Sequence, residues 1–318
     1  MNFAEEFKHT LFEINEKTFT ESSLAAFEYQ YKACDIYKSY CNYLHKSPAT
    51  VKNLTDIPFI PIEFFKNHAI KSGNWKEKKI FKSSGTTSTT RSQHFIRDID
   101  HYHRVARHTF QEKIGQLSEF KIFAVLPSYQ EQGDSSLISM VDNFMNYSHS
   151  ASNYFLNQDW DDLLNQAGKK LVIGVSYALL DIAAQRPSSS NLTVVETGGM
   201  KGRRKEITRY ELHSELKEGF KVNEVWSEYG MTELQSQAYG KNGAFEFPKW
   251  AKCIIRDIND PFSFQKEGKT GGINIIDLAN IDTCCFIETK DLGRIVSNGF
   301  EVLGRFDNSD IRGCNLMI

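Results

Sequence analysis

Lys170-Leu171-Val172-Ile173-Gly174-Val175, followed one helical stretch later by Leu192-Thr193-Val194-Val195-Glu196, sets the fold class of this chain. Outward from this pair, Lys121–Leu126 and Val222–Trp226 read as further strands, and helical periods lie at 98–116, 135–147, 158–167, 177–185 and 203–218. Short apolar runs alternating with helices at this spacing mean βαβ units and a mostly parallel sheet with flanking helices. Past about residue 240 the character changes. Ala251–Asp257, Gly272–Leu278, Cys285–Thr289, Arg294–Val296 and Glu301–Leu303 read as short strands joined by turns with no long helix between them. The expectation is an α/β protein carrying a C-terminal antiparallel sheet or distorted barrel.

Before residue 79 the pattern is helical. Phe3, Phe7, Leu11 and Ile14 recur at three- and four-residue steps, as do Leu24, Phe27, Tyr31 and Cys34, which predicts an amphipathic layer packed on something larger. Ile57–Lys66 is aromatic and holds two prolines that resist a regular helix or a central strand. The chain divides on these grounds into a helical part (1–78), an α/β part (79–240) and a β-rich part (241–318). No Gly/Ser linker or charge block separates the parts.

Composition narrows the function. Of 318 residues, 40% are hydrophobic and 25% charged, enough to bury a core and too apolar for a disordered scaffold. Lys plus Arg number 38 against 40 Asp plus Glu, a net charge of −2, so no single-sign field suits a nucleic acid or an anionic membrane. No run approaches the roughly 20 apolar residues of a membrane span. The longest, Leu171–Leu180, is broken by Gly174 and Ser176. The first residues are acidic and lack the apolar core of a signal peptide. The 6 cysteines contain no C-x-x-C pair, which speaks against a disulfide framework or zinc site. The expected setting is the cytoplasm, with reduced thiols.

Four segments carry chemistry. Ser83-Ser84-Gly85-Thr86-Thr87-Ser88-Thr89-Thr90-Arg91 joins two short β-like runs. Its backbone N–H groups, hydroxyls and Arg91 suit an anion, although the composition equally describes a Ser/Thr-rich surface turn, and no Walker loop is present. Trp226-Ser227-Glu228-Tyr229-Gly230-Met231-Thr232-Glu233 is placed just past a strand, where open α/β sheets bind ligands. It offers a ring for a base, a hydroxyl for phosphate and a hard oxygen for Mg²⁺. Glu196-Thr197-Gly198-Gly199 lets a flat ligand approach the backbone, or forms a plain strand-to-helix turn. The fourth group is Thr289-Lys290-Asp291-Leu292-Gly293-Arg294 with Leu303-Gly304-Arg305-Phe306-Asp307, each singly a charged turn.

In this order the segments resemble the adenylate-forming superfamily. Ser83–Arg91 aligns without a gap with S-S-G-T-T-G-x-P-K, Tyr229–Glu233 with Y-G-x-T-E, Asp291 with D-L-x-R and Gly304–Asp307 with G-R-x-D. Ile57–Lys66 and Glu196–Gly199 followed by Lys201-Gly202-Arg203 resemble the acyl-protein synthetase of bacterial bioluminescence (LuxE-type domains), with phenylacetate-CoA ligases the next relatives. Ser88, Thr90 and Arg91 stand where the superfamily pattern has Gly, Pro and Lys.

The resemblance implies an adenylate-forming core without the small C-terminal lid domain, whose Lys has no counterpart here. It implies ATP-dependent activation of a carboxylic acid, expected to be fatty, followed by transfer to a thiol of a protein, CoA or a carrier. The alternatives are an acyl-CoA ligase of an aromatic or fatty acid, or a non-catalytic nucleotide-binding module beside a partner reductase or acyltransferase. By the same resemblance Ser84, Gly85, Thr86, Thr87 and Arg91 hold phosphates, while Thr232 touches the α-phosphate and Glu233 binds Mg²⁺. Gly198, Gly199 and Tyr229 line the adenine, and Asp291 and Arg305 hold the ribose. Cys314 is the candidate acyl acceptor, with a buried structural cysteine as the plainer reading. Phe123, Tyr129 and Phe144 are weak candidates for the acyl pocket.

Overall fold

A computed structural model describes residues 3–84, 90–126, 133–149, 152–154, 167–185, 189–198 and 207–306. Three of the short apolar runs become the parallel strands β4 (Phe120–Val125), β6 (Lys169–Val175) and β7 (Leu192–Thr197), and a fourth, β8 (Trp226–Tyr229), joins them. They pair in the order β4-β6-β7-β8, and the two-residue strand β5 (Asn153–Tyr154) lies outside β4. Helices α5 (Ile99–Lys113), α6 (Ser136–Asn146), α7 (Ser176–Ala183) and α8 (Arg209–Phe220) accompany them. Their starts are encoded locally. The Asp98 carboxylate accepts from the N–H groups of Asp100 and His101 at the head of α5, and Thr208 with Glu211 forms a capping box on α8. Gly219 lets α8 press on α7, since a Cβ there would lie 2.5 Å from Ala183 Cβ.

At β8 the sheet changes sense. Its other edge pairs antiparallel with β9 (Ala238–Lys241), and the path continues through β10 (Ala244–Glu246), β14 (Gly299–Arg305), β13 (Phe286–Val296), β12 (Gly271–Asp277) and β11 (Ala251–Arg256). The parallel and antiparallel halves therefore share one continuous sheet. A separate hairpin, β2 (Lys79–Lys82) with β3 (Gln93–Ile96), brackets the Ser/Thr-rich segment. The proline-punctuated stretch supplies β1 (Ile60–Pro61), which pairs with β13, and a single helical turn, α4 (Phe64–Asn67).

Two apolar cores result. One lies between the parallel strands and helices α5 to α8. The other joins the antiparallel strands to the N-terminal helices α1 (Phe3–Thr10), α2 (Phe19–Ala33) and α3 (Asp35–Tyr43). From α2, Gln30 donates to the carbonyls of Asn280 and Ile281 and accepts from the Cys285 N–H at 2.9 Å. From α1, Lys8 Nζ lies 3.0 Å from both Asp282 and Glu5, and Arg97, beside β3, reaches the same two carboxylates at 3.0 and 3.1 Å. Buried Lys8 also lies 3.8 Å from Asp98, so each buried charge has more than one opposite partner.

Two expected elements shift. The strand placed at Val222–Trp226 occupies Trp226–Tyr229 instead, because Val222 and Val225 pack on the parallel core as a connection and the polar Ser227 and Glu228 continue the ladder. The strands placed at Cys285–Thr289 and Arg294–Val296 are one 11-residue strand, and the charged turn between them is a register shift at Leu292/Gly293. The five described cysteines are all free and buried, and both Cys284 and Cys285 are core. Phe123 and Phe144, offered for an acyl pocket, are fully buried, while Tyr129 and the helix expected at 158–167 fall outside the described residues or nearly so. Among the described residues no helix is long and apolar enough to cross a membrane.

Removing one partner of a buried ion pair leaves its mate uncompensated. Asp282→Ala, which strips Lys8 and Arg97 of their shared carboxylate, should lower unfolding free energy by about 3 kcal/mol. A fall in the urea midpoint at unchanged slope is the expected reading, and an unchanged midpoint would show the network to be passive.

Candidate functional site

The site forms where β8 ends and the sheet changes sense. Residues 230–237 leave β8, turn and enter β9, and they carry Thr232 and Glu233. This loop is irregular yet mostly buried, so its backbone polar groups need partners from elsewhere. Asp277, at the end of the wholly buried strand β12, supplies two of them. It accepts from the N–H groups of Gln235 and Ser236 at 2.9 Å each, from Ser236 Oγ at 2.6 Å and from the Ala279 N–H at 3.1 Å. Burial pushes the Asp277 pKa up, with those donors pulling the other way. Asn280 donates to the Glu233 carbonyl at 2.8 Å and accepts from Gln235 N–H at 3.0 Å. On the other side His94, fully buried on β3, places Nδ1 2.8 Å from the Thr232 carbonyl and Nε2 3.1 Å from Thr283 Oγ1.

Among the chemistry-bearing segments, those from β7 onward meet through direct side-chain contacts, while Ser92, directly after Arg91, is buried and acts to lower the Glu233 pKa. Thr197, before Gly198, donates to Glu228, before Tyr229. Tyr229 donates from its hydroxyl to Asp291 Oδ2 at 2.7 Å, and Arg305 Nε lies 3.4 Å from Asp291 Oδ1. Residues 31 and 62 positions apart in sequence are thus paired. Gly198, at φ +66°, takes the left-handed conformation that glycine allows without strain. Ser84 and Arg305 are exposed and Thr232 is partly so. Gly85, Thr86, Thr87, Gly199 and Cys314 lie outside the described residues.

Two side chains behave differently from their sequence reading. Arg91, expected to face phosphates, is held by protein groups: its guanidinium reaches Asp134 at 3.1 and 3.3 Å and the carbonyls of Ser83 and Lys82. A planar fork with five donors closes the base of the loop in a way that the lysine of the superfamily pattern does not. Tyr229, expected to offer its ring to a base, packs that ring on Phe245, Phe247 and Phe300 at centroid distances of 5.5 to 6.2 Å and spends its hydroxyl on Asp291. Sequence reasoning missed Asp277, Asn280, Ser92 and His94. An acidic residue closing an all-apolar run was the available signal for Asp277. Nothing in the sequence pattern marks His94.

The electrostatics of the strand ends are uneven. Burial works to raise the Glu196 pKa, yet His213, Arg209, Ser227 and Ser176 together hold it below its ordinary value. Glu228, one strand over, has only Thr197 against its burial and stands beside the Glu196 charge, so it is pushed up to about 7. For Glu233 burial also dominates, raising the pKa. Asp291 is raised by burial as well, with Tyr229 and Arg305 opposing.

The Glu228 shift has a consequence for stability. A folded-state pKa of about 7 against an ordinary 4.5 means that the native chain holds this proton where the unfolded chain has lost it. The contribution is fully present below about 4.5 and is lost as pH rises through about 7. Relative to wild type, Glu228→Gln should therefore gain about 1–3 kcal/mol between pH 4 and pH 8. Denaturant melts of both proteins across that range test this, and parallel pH profiles would contradict it.

Comparison with curated proteins finds no match. Among solved structures, 2-hydroxyisobutyryl-CoA ligase in the postadenylation state in complex with 2-HIB-AMP is 12% identical with a TM-score of 0.67 over 92% of this chain and 68% of that one. ATP-bound MatB from Rhodopseudomonas palustris is 16% identical with a TM-score of 0.52 over 84% of this chain. The chain spans only 56% of the length of MatB. At such identities these likenesses show the fold: the core of adenylate-forming ligases. The family described as acyl-protein synthetase, LuxE, matches residues 7–318. Nearly the whole sequence is covered by that match, and the chain belongs to the LuxE acyl-protein synthetase family.

Proposed function

We propose that this chain activates a carboxylic acid with ATP and passes the acyl group to a thiol. The observation that carries the reading is the contact chain from Tyr229 through Asp291 to Arg305, beside the turn that carries Thr232 and the buried Glu233. It brings a paired ribose-type acceptor and a buried carboxylate to the end of β8. A carboxylate is a poor electrophile, so it must first gain a leaving group. One of its oxygens attacks the α-phosphorus of ATP, the bond to the β,γ-phosphates breaks, and pyrophosphate departs with the acid joined to AMP. A thiolate then attacks the acyl carbon and AMP leaves.

The residues divide this work by position. Asp291, held by the Tyr229 hydroxyl, presents its carboxylate to the vicinal hydroxyls of the ribose, with Arg305 alongside. Thr232, partly exposed, offers its hydroxyl to the α-phosphate. Ser84, with Gly85, Thr86 and Thr87, faces the terminal phosphates, and Arg91 braces that loop from below. Glu233 suits Mg²⁺: it is a hard oxygen donor in a buried place where burial outweighs Ser92, its own backbone N–H, Arg305 and Lys66 and raises its pKa, and Mg²⁺ is commonly held by one or two carboxylates together with substrate phosphates. When bound there, the ion supplies positive charge to the phosphate oxygens.

The test is acid-dependent ATP–pyrophosphate exchange over a panel of fatty and aromatic acids. Glu233→Gln keeps the shape of the side chain but removes the charge, so it should shift the Mg²⁺ requirement upward and lower exchange about 10- to 100-fold. Asp291→Asn should raise the KM for ATP by about tenfold or more, because a charge-assisted contact to the ribose is weakened. Hydroxylamine release of acyl groups from protein, set against stimulation by added CoA, identifies the thiol. ATP binding without exchange for any acid would contradict the enzyme reading and leave a nucleotide-binding module.

A further inference from the structure

We infer that the strand leaving the Ser/Thr-rich loop clamps the Thr232-Glu233 dipeptide, with His94 as its positioning residue. The inference deepens the proposed function and rests on that reading for its catalytic consequence. Successive residues of a strand face opposite sides, so residues two apart share a face. Ser92 and His94 are buried while Gln93 and Phe95 between and beyond them are not, which puts both on the inward face of the segment. Ser92 is the first of the groups that pull against the burial-raised Glu233 pKa. His94 holds the Thr232 carbonyl at 2.8 Å.

The chemistry of the imidazole fixes its proton. A carbonyl only accepts, so Nδ1 carries the hydrogen and donates to Thr232. Nε2 must then accept, and the Thr283 hydroxyl, 3.1 Å away, is the donor. The ring stands edge-on to Phe65, is wholly shielded from solvent, and burial pushes its pKa down to about 4. It is a neutral brace, unsuited to carrying a proton for the reaction. Its role is geometric. Through it, the strand that follows the loop, the turn at Thr283 and the dipeptide bearing the phosphate-facing hydroxyl and the buried carboxylate share one position. A shift of the loop-bearing hairpin is passed directly to Thr232 and Glu233, and a shift of these residues is passed back.

His94→Leu fills the space but leaves the Thr232 carbonyl without its donor, whereas Asn in His94→Asn places an amide N–H where Nδ1 was. Both lose the Thr283 contact, so both should lose similar thermal stability. The clamp predicts that they part in function. In ATP–pyrophosphate exchange His94→Leu should lower kcat by about tenfold or more with a smaller change in the KM for ATP, and His94→Asn should recover most of that loss. In the absence of any nucleotide, hydrogen exchange of the peptide spanning 230–236 should rise in His94→Leu and stay near wild type in His94→Asn, with the strand 169–175 unchanged in both. Equal kcat and equal exchange protection in the two variants would overturn the clamp. If the wild type itself shows no ATP-dependent turnover, the functional reading fails while the hydrogen-exchange comparison still decides the clamp on its own.

Discussion

The site depends on one constraint: an irregular loop must be buried at the point where a parallel sheet turns antiparallel. Residues 230–237 leave β8 and are buried from Glu233 on, so backbone groups there are satisfied by side chains from distant segments. Asp277 alone accepts three hydrogen bonds from them. Asn280 and His94 close the remaining sides. A buried polar network of this kind is favourable only when complete, which ties the shape of the site to the packing of three separate parts of the chain.

The N-terminal helices contribute to this arrangement although they carry none of the site motifs. Gln30 of α2 anchors the turn that contains Asn280. Lys8 of α1 and Arg97 beside β3 share Asp282, in the same turn as Thr283, the partner of His94. The buried charges thereby fix the turn that in turn fixes the loop. The hydrophobic core provides the bulk of the stability, and these polar contacts set the position of the few residues on which chemistry would depend.

Much of the architecture could be read from the sequence because burial dictates pattern. Leu171–Val175 and Leu192–Val195 are apolar but for Thr193, and they are central strands. Reading failed where polar residues serve the site. Ser227 and Glu228 form part of β8, and Lys290–Arg294 continue β13 through a register shift, so hydrophobic pattern pointed elsewhere. The motif residues Tyr229, Glu233, Asp291 and Arg305 were legible through their order along the chain. Their supports were not. A buried histidine that braces a carbonyl leaves no periodic trace, and an arginine in a phosphate-loop pattern gives no sign that it will turn back onto Asp134.

The account stands on the convergence of the motif segments around a single nucleotide. A crystal structure of the chain with a non-hydrolysable ATP analogue and Mg²⁺ measures that directly. It should place the ribose hydroxyls on the Asp291 carboxylate and the metal at Glu233, with the phosphates toward Ser84 and the loop beyond it. A nucleotide bound elsewhere, with Asp291 and Glu233 both untouched, would contradict it.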